Sequence, residues 1–280
     1  VKFIASSDQV KHIKKNLKDR SFHIQKFYDW LNINQSTPIK TKIQVLYTCM
    51  FNAYLYGVET WWKIDAVKHD LLKVERKLLK SILCVKQNTP DDLLYQELDR
   101  CDIMAWVKHR QSKFFYSLKE FSAADAIVKQ ILTSYFHLSP CQYYRHIYLN
   151  VKTKNKQERV ERINMASSTY LSRYNQLIDS RYNHVIYETY LPEKIRVVIT
   201  RWRLSNHTLK IEIGRRNPYI ERHLRLCVYC SIVEDETHVL YFCPLYKCIR
   251  ERYTEHLNKY PLIGAIFNPT SYEDAMVLNL

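Results

Sequence analysis

The sequence predicts a mostly α protein, and three observations carry that expectation. Glycine is scarce: Gly57, Gly214 and Gly264 are the three in 280 residues, too scattered for the clustered glycines of Rossmann turns and P-loops. Val67, Leu71, Val74, Leu78 and Ile82 recur at three- and four-residue steps, the period of one helix face. Near the C-terminus, Cys227, Cys230, His238 and Cys243 form a C-x2-C-x7-H-x4-C array, with ligand types and spacing that suit one tetrahedral Zn²⁺. The expected architecture is a helical bundle over 36–120, a helical connector over 121–191 and a small zinc-stabilised module over 192–256. A basic segment, 1–35, precedes these and a tail, 257–280, follows.

Composition narrows the function classes. Hydrophobic residues make up 46% of the chain, enough for sizeable cores and against wholesale disorder. Lys and Arg number 43 against 28 acidic residues, a formal charge of +15 that favours a polyanionic partner, and 22 tyrosines add stacking surfaces. Eight cysteines in a basic chain of this size do not read as a secreted disulfide scaffold. No signal peptide and no apolar run of membrane-spanning length stands out. A reducing compartment, nucleus or cytoplasm, is therefore expected, with no membrane partner. The chain begins at Val1, which fits a fragment of a longer protein.

The elements follow in order. Residues 1–30 are polar and basic, with Lys11, Lys14, Lys15 and Lys18 at helical spacing and Phe22, Ile24 and Phe27 as apolar anchors. Ser36-Thr37-Pro38 reads as a helix start. The helix it opens carries Ile43, Leu46, Met50 and Ala53 on one face and ends at Gly57, before Trp61 and Trp62. Asp65 is the expected N-cap of the Val67–Ile82 helix. That helix's other face holds Lys68, Lys73, Arg76 and Lys80, either a solvated face or a phosphate-contacting one. Asp91-Asp92 follows Thr89-Pro90, so the pair reads as the first turn of a helix rather than as a two-metal carboxylate site. A further helix is expected over 102–119, with Trp106 and the run Phe114, Phe115, Tyr116. Cys49 and Cys84 read as small core residues, while Cys101 and Cys141 are isolated. Beyond Ser139-Pro140, Lys152, Lys154, Lys156, Arg159 and Arg162 form a basic linker or an exposed helix.

From Pro192 the pattern changes. Arg196, Arg201, Arg203, Lys210, Arg215, Arg216, Arg222 and Arg225 face only Glu212 and Glu221, a local charge of +6. Trp202, His207 and Tyr219 are interleaved. Cations for phosphates and flat rings for bases are what nucleic-acid binding requires, so Arg196, Arg201, Trp202, Arg203, His207, Lys210, Arg215, Arg216, Arg222 and Arg225 are the candidate contacts. In the metal array, four protein ligands leave no open position, which disfavours a hydrolytic zinc site. Glu234, Asp235 and Glu236 are placed to orient His238. Pro244 puts Cys243 at a helix N-cap, and Cys248 is a spare thiol.

The stretches RWRLSNHTLKIEIGRRN and RLCVYCSIVEDETHVLYFCPLYKCIRERY resemble the C-terminal region of LINE-type (non-LTR) retrotransposon reverse transcriptases. Upstream, YLYGVETWW and LKSILCVKQNTPDDLLYQELDR resemble the helical thumb and post-thumb region of the same enzymes. The resemblance implies a thumb-like bundle that grips template–primer. It also implies a CCHC metal site at Cys227, Cys230, His238 and Cys243, and engagement of element RNA or target DNA during target-primed reverse transcription. The family's palm motif, an aromatic-x-Asp-Asp, has no match here. The resemblance therefore implies a C-terminal part without its own polymerase centre, the rest of the polypeptide being absent.

Overall fold

Helices dominate because apolar residues recur every three or four positions with little glycine to interrupt them. A computed structural model describes residues 6–61, 63–121, 183–215, 218–252, 254–259, 267 and 269–277. Among these the fold is mostly α, with no named strand and one isolated antiparallel bridge between Leu226 and Val233. No described helix is long and apolar enough to cross a membrane. Most of the expected connector lies outside the described residues, as do Cys141, the basic stretch from Lys152 to Arg162, Trp62 and Arg216.

The chain divides into two units. The first comprises Val1–Ile33, Ile43–Leu79 and Asp99–Glu161, the second Asn34–Lys42, Lys80–Leu98 and Arg162–Leu280.

In the first unit, helix α1 (Ser6–Asp19) buries Gln9, Ile13 and Leu17 and exposes its lysines. It packs on a 3-10 turn, Ile64–Val67, where the Lys63 N–H donates to Gln9 at 3.1 Å. Helix α2 (Phe22–Ile33) buries Phe27 and Leu31. Helix α3 (Ile39–Val45) runs through a π-helical turn, Leu46–Met50, into α4 (Phe51–Tyr54). Of the expected face, Ile43, Leu46 and Met50 are buried and Ala53 is half-buried. Gly57 follows at φ +79°, a left-handed conformation that costs other residues strain.

Helix α5 (Lys68–Ile82) begins two residues later than an Asp65 cap would place it. Asp65 sits inside the preceding 3-10 turn instead of capping the helix. Val67, Leu71, Leu78 and Ile82 are buried as the periodicity requires and Val74 is half-buried; each fully buried side chain contributes about 1.5–3 kcal/mol of transfer free energy. Lys68 and Lys73 are exposed on the opposite side. Lys80 is not: its ammonium lies 2.9 Å from Asp91 and donates to the Gln87 carbonyl at 2.7 Å, so it belongs to the core of the second unit. Cys49 is exposed and Cys84 half-buried, so neither is the core residue the pattern suggested. Helix α7 (Ile103–Phe121) starts where the buried Glu75 accepts from the Ile103 N–H at 2.9 Å and from the Tyr47 hydroxyl. Its Gln111 donates to the carbonyls of Val58 and Trp61 at 3.0 and 3.1 Å, and Arg110 pairs with Glu59.

In the second unit, Pro90 and Pro192 stand at the N-caps of α6 (Asp91–Glu97) and α9 (Glu193–Arg203), with α8 (His184–Glu188) between them in the chain. Asp91 and Asp92 occupy the first turn of α6, where carboxylates suit the helix dipole. Glu97 on α6 pairs with Arg203 on α9, both side chains having no exposure. The second contact of that fork is 3.2 Å. Tyr187 on α8 donates its hydroxyl to Glu97, and Arg203 also donates to the Phe267 carbonyl at 2.8 Å. Arg196 donates to the Gln35 and Thr37 carbonyls at 2.6 and 3.3 Å. Asn206 accepts from the Lys86 N–H at 3.1 Å and donates to Thr89 at 2.6 Å.

Candidate metal centre

A short hairpin and a π-helical turn bring the four array residues together. The Leu226–Val233 bridge holds the hairpin's base, where the Glu234 N–H donates to the Arg225 carbonyl at 2.8 Å. Ser231 adopts φ +54°, folding the tip so that the Cys227 N–H reaches the Ile232 carbonyl at 2.7 Å. One tight turn thus supplies Cys227 and Cys230. The π-helical turn His238–Phe242 supplies the other pair: the Cys243 N–H donates to the His238 carbonyl at 2.7 Å, which wraps two ligands five residues apart onto one point. Pro244 then opens a 3-10 turn, Pro244–Tyr246, that leads into α11 (Lys247–Arg252), with Cys243 as its N-cap.

All four ligand atoms lie within 4.8 Å of one another. Cys227 Sγ and Cys243 Sγ are 3.8 Å apart, the separation two thiolates take on a tetrahedral zinc with Zn–S of about 2.3 Å. His238 presents Nε2 to Cys230 Sγ at 3.1 Å. Cys227, Cys243 and His238 are buried. Desolvation pushes the Cys227 thiol up, but backbone N–H groups of Tyr229 and Cys230, with the His238 and Cys230 side chains, outweigh it and bring it down to about 6. Burial, together with repulsion from Cys227 and Cys243, pushes the Cys230 thiol up. The donor set fits zinc: soft thiolates and an imidazole, closely spaced and already turned to one point.

The acidic loop meets both the metal array and the segment after α9. Asp235 caps the His238 N–H at 2.9 Å. Glu234 accepts from the backbone of Lys210 at 3.2 Å, at the start of the short helix α10 (Lys210–Ile213). Glu236 is buried and lies 3.1 Å from His207 Nε2. With Glu212 these two form a second buried group whose ligand atoms lie within 4.8 Å of one another. Arg215 stands 3.0 Å from the Glu212 carboxylate. This cluster ties the metal-site loop to the segment after α9.

Much of the arginine-rich stretch is turned inward. Arg196, Arg203, His207 and Arg225 are buried with partners inside the protein, so their cationic or polar heads are not offered to a phosphate. Arg225 donates to the carbonyls of Ile220 and Ile211, each at 2.8 Å, and passes directly over Gly214. Trp202 is half-buried and stacked on Phe267, ring centroids 4.9 Å apart, instead of presenting a free face. Lys210 reaches the Leu226 carbonyl at 2.7 Å. Arg201 and Arg222 remain exposed, Arg201 donating to the Cys84 carbonyl at 3.0 Å and Arg222 lying 3.6 Å from Asp235. For Arg196, Arg203 and Arg225 the physical reason is shared: a guanidinium with five donors is a good cap for carbonyls and carboxylates in a small helical core. Its charge does not reveal, in sequence, which way it points.

Sequence reasoning missed the Glu97–Arg203–Tyr187 and His207–Glu236 networks. Glu97 and Arg203 are 106 residues apart, and no spacing rule links them. The chain matches no protein-family model, no curated protein and no solved structure.

Proposed function

We propose that this chain is the C-terminal part of a LINE-type reverse transcriptase, zinc-stabilised, binding template–primer and RNA or target DNA while catalysis resides elsewhere. The observation that carries the reading is the convergence of Cys227, Cys230, His238 and Cys243 within 4.8 Å, in the order and spacing of the CCHC resemblance. The +15 charge supports a polyanionic partner. Zinc held by these four residues supplies structure, since no ligand position is left for substrate. It ties the hairpin to the π-helical turn, and metal binding there is coupled to folding.

Zinc content and RNA binding measured on one preparation test this reading. One zinc per chain and salt-dependent binding of RNA or primer–template are expected. A chain that carries no zinc, or ignores RNA and DNA at low salt, refutes it.

A second reading has its own support. Val228, Tyr229, Phe242 and Leu245 adjoin the metal ligands in sequence and are all more than half exposed. Two neighbouring cations are matched by acids, Arg222 with Asp235 and Lys247 with Glu251. A group of exposed apolar side chains suits a protein partner, so the zinc region would then be a staple for a helical protein-interaction module. Retained RNA affinity after Tyr229→Ala and Phe242→Ala, with loss of a protein contact, would favour it.

A further inference from the structure

We infer that the exposed face of helix α1 is the nucleic-acid backbone contact of the first unit, through Lys11, Lys14, Lys15 and Lys18. The inference rests on the nucleic-acid reading above and moves its main contact away from the arginine-rich stretch. At 3.6 residues per turn, these four positions fall within about 100° of arc. Gln9, Ile13 and Leu17, which are buried, occupy the opposite side. All four lysines are exposed. None has a carboxylate within ion-pair distance among the described residues, whereas Lys40, Lys80, Arg110, Arg203, Arg215, Arg222 and Lys247 each do.

A row of exposed ammonium groups at three- and four-residue steps, with Asp8 and Asp19 at the two ends of the helix, is mildly self-repelling and gains most from a partner with regularly spaced negative charge. The helix is fixed to its own unit. Its apolar side packs on the Ile64–Val67 turn, and the Lys63 N–H holds Gln9 at 3.1 Å. Lys63 and Lys68, which bracket that turn, are exposed as well. Two alternatives are weakened by the same facts. A lipid surface would draw on an apolar face to insert, and that face is already buried. Base-specific reading draws on a few side chains reaching base edges, whereas four compact ammonium groups in a row suit regularly spaced phosphates. Phosphodiester backbone remains, bound without sequence preference and through charge alone.

Two quadruple variants test this, both in the full chain. Lys11→Gln, Lys14→Gln, Lys15→Gln and Lys18→Gln together remove the charge; the corresponding Lys→Arg set keeps it. Binding of a single-stranded RNA and of a primer–template duplex is followed by fluorescence anisotropy over a salt series. Anionic vesicles serve as the competing surface, and circular dichroism checks folding. The Gln set is expected to flatten the slope of log K against log salt by about 3 to 4 for either probe. The Arg set should retain the slope of the parent. If the parent chain binds both probes and the Gln set leaves slope and affinity unchanged, the inference fails while the nucleic-acid reading stands. If the parent binds neither probe, the reading itself fails. If the Gln set loses only vesicle binding, the surface is a lipid contact and the inference is overturned.

Discussion

Arg203 separates a structural arginine from a nucleic-acid contact more sharply than any other residue here. Arg203→Ala removes the partner of Glu97 in a pair with no exposed side-chain surface. It also removes the donor to the Phe267 carbonyl. A buried pair broken from one side leaves the other charge without compensation, at a cost of about 3–5 kcal/mol. Against a typical stability of about 5–15 kcal/mol, that is a large fraction. For a domain of 150–250 residues, about 2–4 °C of Tm accompanies each kcal/mol, so a fall of roughly 6–20 °C is expected. Removing both charges, Arg203→Met with Glu97→Gln, should restore part of the loss, because the isolated carboxylate is gone. Urea unfolding followed by far-ultraviolet circular dichroism, with thermal melts of all three variants, reads both effects. Arg203→Ala of parental stability that had lost RNA affinity would refute the reasoning and return Arg203 to the surface role its sequence context suggests.

Three further outcomes follow from the same geometry. Cys227→Ser with Cys230→Ser should abolish zinc binding measured by a metal-sensitive chromophore, since it removes two of four converging ligands; unchanged zinc content would refute the site. Gly214→Ala places a Cβ 2.8 Å from the Arg225 side chain, which is pinned by two carbonyls, and should cost about 1–3 kcal/mol in denaturant unfolding; a neutral result would show that Arg225 can move aside. Burial, then the Glu97 carboxylate, holds the Tyr187 phenol well above its ordinary value. A raised folded pKa gives stability that is complete below the unfolded value of about 10 and is lost as pH rises through the folded value. Tyrosinate absorbance should therefore show the Tyr187 contribution, taken as parent minus Tyr187→Phe, only above the main tyrosine titration.

The helical character and the metal array were legible in the residues themselves, because both are local. The α5 face repeats every three or four positions, so its buried side follows from backbone geometry. Likewise the C-x2-C turn places two ligands whatever surrounds it. Asp91-Asp92 was legible for the same reason: a preceding proline and a helix dipole are local terms. Lys80 and Asp65 were misread where the local pattern competed with a neighbouring segment. Lys80 turned inward because Asp91 and the Gln87 carbonyl compensate its charge.

The sequence by itself determined a mostly α chain, a strongly basic charge and four ligands spaced for one tetrahedral ion. Only the tertiary structure decided which cations remain available. Arg196, Arg203 and Arg225 became internal caps, while Lys11, Lys14, Lys15 and Lys18 kept an open face. The physical reason is that net charge is a sum over residues, whereas a contact surface depends on direction. The direction of each cation is set by carboxylates and carbonyls far away in the chain, which no local pattern encodes.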